Sequence, residues 1–186
     1  MTRLAGLLVT ACLIGSIAHQ PLKRSHPGPP VRWVSIDTLR ITFSSVGLTD
    51  AVHALGPARI FEHGDAGDSE SWACYRLKDG RSAMFLTLKT YEGPVAESVT
   101  LSRGPWRSAT RCGYLATDAS QIQLDRGLRL GMTRAELLRI MGTPDSVASD
   151  SVVFNYDNHD GAIGRVSARL LGDSVVRLTA FYSEQT

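Results

Sequence analysis

Few side chains in this 186-residue chain are grouped in a way that could do chemistry. Glu62-His63-Gly64-Asp65, with Asp68 and Glu70 close behind, gathers donors that could hold calcium. The run lacks the alternating ligand register and the closing bidentate glutamate of a calcium loop, so a solvated loop is the simpler reading. Asp157, His159 and Asp160 could bind a metal or act as acid and base, but they sit in an Asn/Asp/Gly turn, where backbone geometry alone favours them. His19 and His26 fall in a proline-rich stretch with no second ligand pair nearby. No serine lies in a Gly-x-Ser-x-Gly elbow. No glycine-rich phosphate loop is present, and Gly161 to Gly164 reads as a turn. A small secreted hydrolase would have to assemble its site in space, with His63 or His159 as the base. The expectation is a chain with no catalytic residue, no metal ligand and no cofactor.

Recognition is the chemistry that remains. If strand alternation holds, Trp72, Arg76, Phe85 and Lys89 share one face of a first sheet. Arg169, Arg177 and Phe181 can do the same in a second. Aromatic and arginine side chains are the commonest interface anchors. The competing reading puts Trp72 and Phe85 in the core and leaves the arginines as ordinary surface, since a slip of one residue exchanges the two faces.

The elements that would position these residues are legible around one stretch, Leu128 to Pro144. Thr133 and Glu136 have the spacing of a reciprocal capping box, and Met132 and Leu137 that of a hydrophobic staple. Leu137, Leu138, Ile140 and Met141 continue as an apolar stripe, and Gly142 with Pro144 ends it. An earlier stretch, Gly47-Leu48-Thr49-Asp50-Ala51 to Gly56-Pro57, has the same order as Gly131-Met132-Thr133-Arg134-Ala135 to Gly142-Thr143-Pro144. Aligned on these motifs, the second helix is two residues longer. Such self-similarity reads as an internal repeat.

Strands follow each helix: Trp72–Leu77, Ala83–Lys89 and Ala96–Arg103 after the first, and Ser151–Tyr156, Arg165–Leu171 and Ser174–Tyr182 after the second. The polar run Glu62 to Ser71 reads as a loop. Asp79-Gly80 and Gly172-Asp173 mark hairpin turns. Trp33 to Phe43 is extended, with an alternation that slips near Asp37, which calls for a bulge or two short strands. Val99 and Leu101 alternate with Ser98 and Thr100; Val176, Leu178, Ala180 and Tyr182 alternate with Arg177, Thr179 and Phe181. One face of each sheet is therefore expected to be buried under the helices. The fold class is α+β: two tandem units, each of short helices packed on an antiparallel β-meander sheet. The boundaries are residues 33–103 for the first unit, 104–123 for a connector and 124–186 for the second.

Residues 1–18 carry one charge, Arg3, and an apolar run that suits an export signal better than a membrane span. Ser16-Ile17-Ala18 is one cleavage reading. Val9-Thr10-Ala11-Cys12 resembles a lipobox, which would make Cys12 a lipidated anchor, and an uncleaved anchor is the third option. Residues 19–32 form a proline-rich linker. Beyond Cys12 only Cys74 and Cys112 remain, and in an oxidising compartment they pair most simply as a disulfide; two buried thiols are the alternative. A net charge of +2, no basic run and no zinc spacing among the three cysteines argue against a nucleic-acid partner.

The motif Leu128-Arg129-Leu130-Gly131-Met132-Thr133, then Leu137-Leu138, then Gly142-Thr143-Pro144 resembles the repeat of β-lactamase-inhibitor-protein-like domains and of SmpA/OmlA outer-membrane assembly lipoproteins. The resemblance implies helices packed on an antiparallel sheet, twice in tandem. It also implies an exported, periplasmic or secreted module, with anchoring at the outer membrane as the alternative, that binds another protein of the envelope and does not catalyse. No binding residue of that family maps onto this motif.

Overall fold

The computed structural model describes residues 30–65, 69–78, 84–91, 93–104, 111–157 and 161–184. The expected export segment with Cys12, the linker through residue 29, the Asp79-Gly80 turn, Asp68, His159 and Asp160 lie outside them.

Alternating sequence becomes strand throughout. β1 (Trp33–Ile36) and β2 (Leu39–Thr42) are two short strands, and the slip near Asp37 is a turn in which Asp37 takes φ 54°. Helix α1 (Leu48–Leu55) follows, then β3 (Ile60–His63), β4 (Glu70–Lys78), β5 (Met84–Tyr91) and β6 (Ser98–Arg103). β7 (Gly113–Asp118) and β8 (Ile122–Leu124) lie in the stretch expected to be a connector. Helix α2 (Arg134–Met141) then leads into β9 (Ser146–Val147), β10 (Ser151–Asp157), β11 (Ala162–Leu171) and β12 (Ser174–Glu184).

The two meanders do not form separate sheets. β6 pairs with β12, so the strands run β3-β4-β5-β6-β12-β11-β10-β9 in one antiparallel sheet, with β7 added in parallel to β4. β1 does not join the first meander either. It pairs with β2 and β8 in a three-stranded sheet that shares a hydrophobic core with the large one. That small sheet and the two helices supply the second layer that a sheet with one apolar face requires.

Both helices have eight residues. The structural counterpart of the Gly47 cap is thus Thr133, not Gly131 as the motif alignment suggests, and the C-caps Gly56 and Gly142 correspond. α2 has its capping box: the Thr133 amide donates to Glu136 Oε2 at 2.7 Å, and the Glu136 amide donates to Thr133 Oγ1 at 3.1 Å. Chiefly the Thr133 amide bond holds the Glu136 carboxyl below the usual range. Each helix also docks its first turn on the start of the last strand behind it. Leu48 N donates to Pro94 O and Ala96 N to Val46 O; Arg134 N donates to Asp173 O and Val175 N to Met132 O.

The core face of the large sheet carries Ala73, Tyr75, Leu86, Leu88, Val99, Leu101, Leu178 and Ala180, all at 1% exposure or less. Tyr75 reaches through to α1, where its hydroxyl donates to Gly56 O at 3.1 Å. Burial pushes that phenol up to about 12. Two sequence expectations shift. β11 and β12 change register at Arg169/Leu170, so Val175 is buried instead of Val176. Gly164 is a strand residue of β11, not part of a turn; a Cβ there would stand 3.2 Å from Pro30 Cβ, so glycine lets the two segments close.

Candidate functional site

Period two along a strand sends every other side chain to the face opposite the core. Strand pairing lines those side chains up across the molecule. One row runs Phe61, Trp72, Lys89, Ser98, Phe181, Arg165, Asn155, from β3 to β10. A second runs Arg76, Phe85, Ser102, Arg177, Arg169, Ser151. Between them lie Cys74, Thr87, Thr100, Thr179, Ser167 and Val153. All seven residues expected as recognition anchors therefore share one face of one sheet, where the sequence pattern assigned them to two.

Their accessibility differs. Arg76, Arg169 and Arg177 are exposed, and Trp72, Lys89 and Phe181 are half-buried. Phe85 is 1% exposed, so it is not part of the accessible surface. Cys74 and Thr87 beside it are buried as well. Cys112 is bonded to Cys74 on this face, with S–S 2.05 Å, so the chain entering β7 is held against the sheet there. Closing the 38-residue span contributes about 4 kcal/mol by loop entropy.

The aromatic row is held by contacts across the strands. Phe61 and Trp72 stack at 5.6 Å. Lys89 Nζ sits 5.5 Å from the Trp72 ring and 5.6 Å from the Tyr91 ring, and it pairs with Glu70 at 2.5 Å. Tyr91 meets Phe181 edge-on at 5.8 Å. Beyond Phe181 the face hollows into a groove of about 1100 Å³, lined among others by Tyr91, Ser98, Asn155, Arg165, Thr179 and Phe181. A smaller hollow of about 400 Å³ continues from Ser167 and Thr179 to Arg169 and Arg177.

Sequence reasoning missed Phe61, Tyr91 and Arg165. Phe61 lies in a strand pairing the sequence pattern did not reveal, and Tyr91 is the last residue of β5, two positions beyond the Ala83–Lys89 strand expected from sequence. Arg165 was legible, because it sits four residues before Arg169 on one alternation. His63 is exposed on edge strand β3, and Asp157 ends β10 on the far side of the sheet, so the two cannot form one site. Among the described residues no three His, Cys, Asp or Glu side chains converge as a metal cage, and no helix is long and apolar enough to cross a membrane.

No protein-family model matches the chain, and neither a characterised protein nor a solved structure is detectably similar to it.

Proposed function

We infer that this chain is an exported, non-catalytic binding module of the bacterial cell envelope that meets another protein through the open face of its large sheet. One observation carries the reading: a row in which five of seven side chains, Phe61, Trp72, Lys89, Phe181 and Arg165, are aromatic or cationic crosses the sheet on the face that the helices and the small sheet leave uncovered. Stable interfaces are anchored by such residues set among near-neutral polar neighbours, and here the half-buried Thr100, Ser167 and Thr179 are those neighbours.

We also infer that the architecture arose from two tandem units. Support comes from the order of elements, in which α1 precedes β3 to β6 as α2 precedes β9 to β12. The matched pair of backbone hydrogen bonds at each helix start supports it too. Joining the units through their last strands gives a wider face than either meander has alone. Export rests on the N-terminal apolar run and on the Cys74–Cys112 bond, a bond that an oxidising compartment preserves.

The test is capture from envelope extract of the source organism, with the intact protein and with Trp72→Ala and Phe181→Ala. The expected result is a partner retained by the first and lost by the variants, whose thermal melts remain cooperative. Failure to recover any partner, or equal recovery by all three proteins, overturns the reading. The mass of the mature N-terminus separates free His19 from lipidated Cys12. The lipidated form would place the module at a membrane surface.

A further inference from the structure

The binding reading leaves the chemistry of the partner open, and the charges on the open face narrow it. Of the cations there, Lys89 is paired with Glu70, and Arg169 with Asp150 at 3.1 Å. Among the described residues Arg76, Arg165 and Arg177 have no ion pair, and all three are exposed. Arg177 stands directly across from Arg169 in the β11–β12 ladder. Like charges in that position repel and lower stability unless an anion lies between them. Among the described residues two carboxylates line the groove, and both already accept hydrogen bonds: Glu97 from Ser183 Oγ and from the Tyr91 amide, and Glu184 from the Tyr182 hydroxyl at 2.6 Å.

We propose that the groove and the hollow continuing from it receive an extended acidic segment of a partner protein, with carboxylates four residues apart meeting Arg165 in the groove and Arg177 in the hollow. This rests on the binding reading above. Arg165 lies four residues from Arg169 along β11, and Arg177 is the partner of Arg169 on β12. The two positions that carry the unpaired guanidinium groups are therefore about 13 Å apart along the strand direction. An extended chain spans that distance in four residues and returns to the same side, because its period is two. The floor between them is hydroxyl: Ser167 and Thr179, with Thr179 Oγ1 3.0 Å from Thr100 Oγ1. Hydroxyls suit a segment whose backbone N–H and C=O groups are free, which a helix keeps for itself. The Tyr91–Phe181 pair forms the apolar wall against which an intervening side chain can lie.

The experiment uses the protein isotopically labelled for NMR and two synthetic pentapeptides, one with glutamate at its first and last positions and one with glutamine there. The expected result is saturable shifts at Arg165, Arg177, Thr179 and Phe181 with the glutamate peptide, weakened by salt, and at least tenfold weaker binding of the glutamine peptide. Arg165→Gln and Arg177→Gln each lower the affinity about tenfold without changing the spectrum of the core. The proposal is overturned if the two peptides bind equally, if neither binds, if the shifts fall elsewhere, or if inorganic phosphate reproduces them at the same concentration. Envelope capture distinguishes this failure from that of the broader reading. Capture that depends on Phe181 and is indifferent to both arginine variants removes the acidic segment and keeps the binding face. A protein that captures nothing removes the binding face itself.

Discussion

The two faces of the large sheet are built from the same strands and do opposite things. Along β12, Leu178, Ala180 and Tyr182 point into the core and are almost fully buried, while Arg177, Thr179 and Phe181 point out and are exposed or half-buried. The inner face is apolar and close-packed, so its side chains contribute chiefly to stability. The outer face is threonine, serine, arginine and aromatic. Hydroxyl-bearing β-branched residues keep the strand conformation while leaving the surface wettable. The difference teaches that stability and recognition have been separated by a single period of the backbone. Changes on one face should be nearly silent in the other's assay.

The largest effect that can test this separation is on the inner face. Leu178→Ala should cost about 4 kcal/mol in urea denaturation, whereas Phe181→Ala, three residues on, should cost about 1 kcal/mol. Equal losses would break the comparison. The disulfide is the exception on the outer face, because Cys74 and the neighbouring Phe85 are buried there. Replacing Cys74 and Cys112 together by serine should cost about 4 kcal/mol and raise the accessibility of Phe85 to a fluorescent apolar dye. Unchanged stability would mean that the β4–β7 pairing holds without it.

A smaller effect comes from Tyr75, whose hydroxyl ties the inner face to the end of α1. Its pKa is raised from 10.0 to about 12 by burial. The stability this group contributes is therefore complete below pH 10 and is lost as the pH climbs through about 12. Ultraviolet titration should show a late phenol step from Tyr75, together with unfolding, beside that of Tyr182, whose phenol burial also raises. Tyr75→Phe should remove that late step and cost about 1 kcal/mol at neutral pH. The smallest effect belongs to the outer face again. Arg177→Gln should change stability by no more than about 0.5 kcal/mol, with any gain confined to low salt, because it relieves the repulsion from Arg169. A clear loss of stability would assign Arg177 a structural role and weaken the distinction between the faces.

Local chemistry is what the sequence alone determined. Thr133 and Glu136 specify where α2 starts, the alternation from Leu178 to Tyr182 specifies an inside and an outside, and Cys74 and Cys112 can only pair with each other once Cys12 is set aside. These features depend on residues a few positions apart or on the composition of the whole chain. Tertiary structure alone decided which strands become neighbours. β6 meets β12 through residues such as Thr100 and Thr179, 79 positions apart, and β1 leaves the first meander for β8. Alternation tells a strand which way to face and says nothing about the strand beside it. That choice falls to the burial of long-range apolar surface, here Val99 and Leu101 against Ala180 and Leu178. Hence two sets of candidate anchors, read as belonging to separate sheets, lie on one surface, and Phe85, at 1% exposure, is withdrawn from it.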